Sequence, residues 1–332
     1  MKFSKRKPLF ATFFLSALFF LNGCSQSDAV FQKNLFAMDT AFSVSVAEKS
    51  QSVGTEICSV ITEASAMFDC HAENSSVARL NRSGALSDEQ GFLSDLMTQT
   101  LALEKQYGTD VQLTCRPLTE LWKIGSDSAV LPALKDITEA LPRINDAFLS
   151  VSDNQVTLTH GAAIDLGAVA KGYALDIAAD VLKKSDADYA VIDAASAVLL
   201  YGKKNENQPF LIAVSDPNGE GILGHLRLMN QAPDDSVFLS TSGDAERFSL
   251  IDGKKYGHIF DLTTGYPVET DLASVTVIAD NGLQADFLST LIYMRGSAGL
   301  SPFLRTEDFR VLAIDKNGLI YQSDDLPFEV LP

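Results

Sequence analysis

A chain of 332 residues with 43 acidic against 26 basic side chains carries a formal net charge of −17. That sign argues against nucleic acid as a partner, because cationic side chains supply most of such affinity, and against adhesion to anionic lipid through the protein surface. Apolar residues make up 46% of the chain, enough for a sizeable core, and no repeat, linker or charge block divides it.

The first segment is basic (Lys2, Lys5, Arg6, Lys7) and runs into an apolar stretch from Pro8 to Leu21. This is the pattern of an export signal, too short for a membrane span. It ends Leu21-Asn22-Gly23-Cys24, which resembles the lipobox of bacterial lipoproteins. The expectation is a signal peptide over 1–23, a lipid on the Cys24 thiol, a tether over 24–33 and a catalytic domain over 34–332. The protein would then be an extracytoplasmic, membrane-anchored lipoprotein on the periplasmic face or cell exterior, held by acyl chains alone. The alternative is a secreted protein with a coincidental cysteine. Cys58, Cys70 and Cys115 follow, an odd number without metal-ligand spacing, so at least one free thiol is expected and no zinc site.

Beyond the tether, 42–47 alternates apolar and polar residues as a half-buried strand does. Residues 53–68 and 90–107 carry apolar side chains at helical spacing, and 136–141 forms a shorter helix. Strand signals recur at 148–151, 155–158, 189–192, 210–214 and 274–279. Between them 173–184 is an amphipathic helix, and 283–294 is another. Without strict βαβ alternation, the pattern predicts an α+β fold with substantial antiparallel sheet, in one compact unit with two lobes.

Several segments carry residue types suited to chemistry. The stretch from Asp165 to Tyr173 turns a strand through small residues into a helix, where free amides and Lys171 suit a phosphate; a plain strand-to-helix connection explains it as well. Asp286 and Thr290, four apart on a helix, lie together at one border of its buried face. They offer two hard oxygens to Mg²⁺, or simply pack. Ser75 to Asn81 ends in Arg79-Leu80-Asn81, and Arg79 suits either phosphate or a surface carboxylate. Trp122 belongs to a core or to packing between lobes. Ser240-Thr241-Ser242-Gly243-Asp244 and His258 to Pro267 gather glycines, hydroxyls and a titratable histidine. They read equally as a binding and catalytic loop system or as a polar hairpin.

In this order these segments resemble the ApbE family of flavin transferases over nearly the whole chain after the leader. The resemblance rests on Met38-Asp39-Thr40, Ser75 to Asn81, Pro117-Leu118 with Leu121-Trp122, and Asp165 to Ala174. It continues through Thr241-Ser242-Gly243-Asp244, then His258, Asp261, Thr264-Gly265 and Pro267, and ends with Ala285 to Thr290. It implies Mg²⁺-dependent transfer of FMN from FAD, as substrate, to a threonine of a target protein through a phosphoester, releasing AMP. The Mg²⁺ ligands would be Asp286, Thr290 and the carbonyl of Ala168. The FAD site would include Met38, Ser75, Arg79, Asn81, Gln112, Lys171, Thr241, Ser242 and Gly243, with His258 as proton acceptor. The acceptors would be subunits of membrane redox complexes or extracytoplasmic flavoproteins with a threonine flavinylation motif.

The chain departs from the family pattern at Gln112, where an aspartate is usual and Asp110 is a neighbouring substitute. It departs again at Asp193-Ala194-Ala195-Ser196-Ala197, where glycines normally stand. Two other functions fit the same residues: FAD pyrophosphatase activity that releases FMN and AMP, and a non-catalytic flavin-binding lipoprotein.

Overall fold

The computed structural model describes residues 30–204, 208–243 and 245–332. The leader, Cys24 and Asp244 lie outside the described residues. Eight antiparallel strands cross the main sheet in chain order: β1 (Val30–Ala37), β2 (Thr40–Ala47), β3 (Tyr189–Asp193), β4 (Ala197–Gly202), β5 (Ser236–Gly243), β6 (Leu272–Ala279), β7 (Arg310–Asp315) and β8 (Ile320–Gln322). The α+β, largely antiparallel expectation is met. β1 starts inside the segment expected to be tether, because Phe31 and Leu35 pack against the core while Gln32, Lys33 and Asn34 between them look like linker.

The strand period of two divides the core. Leu199, Phe238 and Val277 face a layer of helices. Val198, Leu200, Leu239 and Ile278 face a three-stranded sheet made of Phe210–Ser215, Ile222–Leu228 and Phe328–Val330. The longer helices among the described residues are α1 (Gln51–Phe68), α2 (Ser76–Ser83), α3 (Phe92–Tyr107), α4 (Arg116–Trp122), α5 (Leu134–Ala140), α6 (Ala170–Lys183) and α7 (Gly282–Arg295). α2 and α4 are too short and too polar to show a period, and are ordered by burying Val77 and Leu80 in one case and Leu118 and Trp122 in the other. Trp122 centres a smaller cluster with Ile137, Ala140 and Phe260, and its Nε1 donates to the Gly265 carbonyl at 2.9 Å. This cluster props the segment from His258 to Pro267 beside the main sheet.

α6 and α7 cross at Gly172 and Gly282. A Cβ on Gly172 would stand 2.1 Å from the Gly282 carbonyl oxygen, and one on Gly282 would stand 2.3 Å from that of Gly172. Steric room, not backbone conformation, requires both glycines. Alanine normally favours a helix over glycine by about 1 kcal/mol, so the expected sign for Gly282→Ala is inverted. It should lower unfolding free energy by roughly 2 kcal/mol through overpacking, and chemical denaturation that shows a gain instead would refute the close crossing.

Candidate active site

The period of β5 and that of α7 meet at one row of oxygens. Ser240 and Ser242, two apart on β5, point to the helix side, and Asp286, Ser289 and Thr290 point back from α7. Ser240 Oγ donates to Asp286 Oδ1 at 2.7 Å, and the Gly172 N–H donates to Oδ2 at 2.9 Å. Ser242 Oγ lies 2.9 Å from Ser289 Oγ and 3.1 Å from Thr290 Oγ1. The four residues from Ser240 to Gly243 are therefore the end of a strand, not a loop. The Ser240 and Ser242 hydroxyls are buried and paired, which composition alone does not reveal. Asp286 and Thr290 are only 5% and 8% exposed. They sit inside the packing and not at its border, because α7 is covered on nearly every side. Burial pushes the Asp286 carboxyl above the ordinary carboxylate range, with nearby Lys171 opposing the shift.

Lys171, in the first turn of α6, donates to Ser196 Oγ and pairs with Glu246 at 3.5 Å. Burial disfavours the Glu246 charge, yet Lys171, His258 and a hydrogen bond with Ser196 together hold its carboxyl below the usual range. Ser196 follows a turn in which Ala195 has φ +64°, stabilised by the Ala195 N–H donating to Asp193 Oδ1 at 2.8 Å. The turn that glycine would favour is thus kept with alanine, at a cost of about 1 kcal/mol. His258 Nδ1 lies 3.0 Å from the Arg247 carbonyl; a proton on Nδ1 makes that bond and leaves the Nε2 lone pair available. Burial pushes this imidazole below its usual 6.5, against the pull of Glu246, so it is neutral at pH 7 and able to accept a proton. The Met38-Asp39 turn, with φ +50° and +57°, reaches the same rim through an ion pair of Asp39 with Arg247 at 2.7 Å.

Lys171, Ser242, Asp286 and Thr290 thus converge, with Glu246 between Lys171 and His258. Met38 is tied to Ser65 Oγ by its N–H at 2.9 Å and stands next to Asp39, and the turn carrying Ala168 leads directly into Lys171. Other anticipated residues serve the backbone. Ser75 Oγ caps α2 by accepting from the Ala78 N–H at 2.9 Å. The Asn81 amide accepts from the Ile164 N–H and donates to its carbonyl, at 2.7 and 2.9 Å. Gln112 bridges Thr109 and Asp146. Asp110 is not its substitute, since it pairs with Arg295 at 2.6 Å. Arg79 is exposed. Thr241 points away from α7 and lies 2.8 Å from Thr276 Oγ1, while Gly243 admits the close Ala273 carbonyl. Cys58, Cys70 and Cys115 are all free, and burial raises the Cys70 thiol to about 12, which makes it a poor nucleophile. Glu246 is a site residue that the sequence did not announce, as it stands in an ordinary polar turn.

No group of three His, Cys, Asp or Glu converges on a metal site among the described residues. One buried carboxylate amid hydroxyls is instead a donor set suited to a hard cation, which keeps waters and ligand phosphates in its remaining positions. The residues present fit such a cation.

The sequence profile of the ApbE family matches residues 38–313. The chain belongs to the ApbE family. Among similar proteins, an FAD:protein FMN transferase of Klebsiella pneumoniae is 32% identical over 62% of this chain and 63% of its own length. One of Salmonella typhimurium is 26% identical over 92% of this chain and 91% of its own. The crystal structure of the ApbE protein of Thermotoga maritima superposes with a TM-score of 0.79 at 27% identity, covering 89% of this chain and 97% of that one. That of Pseudomonas stutzeri flavinyl transferase ApbE, at 22% identity and a TM-score of 0.75, shares the fold. No helix among the described residues is long and apolar enough to cross a membrane.

Proposed function

We propose that this ApbE-family chain transfers FMN from FAD to a threonine hydroxyl of a protein acceptor, with Mg²⁺, and releases AMP. The observation that carries the reading is the buried Asp286 carboxylate, fixed by Gly172 and Ser240 beside Lys171 and the Ser242, Ser289 and Thr290 hydroxyls. A buried anion so placed is costly unless a cation completes it. Asp286, Thr290 and the Ala168 carbonyl would hold Mg²⁺, which when bound neutralises the diphosphate of FAD. Lys171 is released from Glu246 to contact a phosphate oxygen, and Met38 lines the rim of the flavin site. His258 Nε2 takes the threonine proton as the oxygen attacks the FMN-side phosphorus, and the Glu246 carboxylate stabilises the resulting imidazolium. Cys24 would carry the lipid that keeps the enzyme on the extracytoplasmic membrane face, near acceptors in membrane redox complexes or extracytoplasmic flavoproteins.

The test is incubation of the purified protein with FAD and Mg²⁺, with and without a threonine-bearing acceptor. Covalent flavin fluorescence on the acceptor supports transfer. Free FMN and AMP without labelling would favour pyrophosphatase action, and bound unchanged FAD would favour flavin binding alone. If His258 is the acceptor, kcat/KM should rise with pH to a plateau through a midpoint below about 6.5, because the active form is the neutral one. His258→Gln should lower the rate on the order of 10²-fold and remove this acid limb; a variant that retained the limb would assign it to another group.

A further inference from the structure

α6 and α7 carry the same spacing, Gly172 with Asp176 and Gly282 with Asp286. The two pairs are used reciprocally. The Gly172 N–H donates to Asp286 Oδ2 at 2.9 Å. In the other direction the Gly282 and Leu283 N–H groups donate to Asp176 Oδ1 and Oδ2 at 2.6 and 2.8 Å. Each helix therefore satisfies first-turn amides of the other, which have no partners inside their own helix. The glycine crossing is what brings each carboxylate within reach.

The consequences for the two aspartates differ. Asp286 faces Lys171 and the hydroxyl row, whereas Asp176 lines a separate cavity of about 520 Å³ with Tyr173, Asp180 and Asp280. Asp176 thus bonds the first turn of α7 and not the side chains gathered around Lys171 and Asp286. It clamps the first turn of α7, one helical turn ahead of Asp286, with Asn281 Oδ1 accepting from the Gln284 N–H at 2.8 Å as the second fastener of that end. α6 has no side-chain cap at its own start, so displacing α7 would also loosen the Gly172 amide from Asp286 Oδ2.

We propose that Asp176 is a positioning residue that sets the affinity of the divalent cation at Asp286, acting through the reciprocal clasp of Gly172 and Gly282. The inference rests on the metal reading above. Asp176→Asn keeps the shape but turns one acceptor into an amide that meets an N–H donor head-on, and so releases one of the two α7 amides.

The measurement is direct Mn²⁺ binding to the FAD-free protein by electron paramagnetic resonance, alongside transfer kinetics against Mg²⁺. Asp176→Asn should raise the Mn²⁺ Kd and the Mg²⁺ concentration for half-maximal rate about tenfold, with kcat at saturating Mg²⁺ recovering to within about twofold. Asp176→Glu retains both acceptor oxygens and should show a smaller shift, which keeps the test open if the asparagine variant folds poorly. Asp180→Asn removes a charge one turn further along α6, where the residue is exposed, and should change nothing. Unchanged Mn²⁺ affinity in both Asp176 variants, or a kcat loss that saturating metal does not repair, would overturn the proposal. A wild-type protein that transfers FMN without binding Mn²⁺ or Mg²⁺ would overturn the metal reading itself.

Discussion

Asp286→Asn is expected to slow flavin transfer severely and at the same time to stabilise the ligand-free protein. The asparagine oxygen can still accept the Gly172 N–H, and its amide can donate to Ser240 Oγ, since a hydroxyl reverses its role freely. Packing is therefore preserved. What disappears is a buried negative charge whose carboxyl is already pushed up by burial, so its loss should raise unfolding free energy by about 1 kcal/mol at neutral pH. The sign follows because a carboxyl raised above its unfolded value disfavours the fold wherever the unfolded chain is ionised. Transfer should fall on the order of 10³-fold, the scale for removing a principal stabiliser of developing charge. Thermal unfolding in the presence of a chelator, together with acceptor labelling, checks both halves. A variant that lost activity by losing its fold would return Asp286 to a purely structural role.

Glu104→Gln should stabilise the protein at neutral and alkaline pH and leave it unchanged near pH 4. Glu104 on α3 is 5% exposed, and its Oε1 has no hydrogen-bond partner. Burial, and then the Asp146 carboxylate beside it, push its carboxyl up to about 10. Asp146 already accepts from the Leu113 and Thr114 N–H groups at 2.7 and 2.8 Å. The folded protein thus keeps a proton that the unfolded chain gives up near 4.5. The stabilising contribution is complete below that value and is lost progressively as pH rises towards 10. At pH 7 the handicap amounts to about 3 kcal/mol. Glutamine can donate to Asp146 at any pH and should remove this handicap. Urea denaturation at pH 4, 7 and 9 reads the effect, and parallel pH profiles for the two proteins would rule out the protonated pair.

Asp286 and Thr290 were legible because helical spacing alone places i and i+4 side by side. Their partners Ser240 and Ser242 read as a loop in the sequence, since serine, threonine and glycine in succession have the composition of turns. Only the register of β5 against β6, with Thr241 opposite Thr276, shows that alternate hydroxyls face α7. Ser75 and Asn81 carry backbone bonds that their spacing does not reveal. A cap and a backbone clamp use the same side chains as a phosphate site, and their bonds to Ala78 and Ile164 are decided by tertiary geometry. Glu246 and Asp176 gave no signal, one in a polar turn and the other on the polar face of an amphipathic helix. The antiparallel sheet was readable from alternation, whereas β1 was hidden by the polar residues between Phe31 and Leu35.

The chain-order arrangement of the main sheet bears on how the protein folds. β1 with β2, and β3 with β4, are short local hairpins. β2 meets β3 only after the whole stretch from 48 to 188 has been looped out. Loop-closure entropy grows slowly with length, but non-local pairing slows folding. The β2–β3 seam, which closes that long loop, is therefore the pairing expected to form late. The same arrangement lets the connections between the elements of that stretch vary in length without shifting the register of any main-sheet strand.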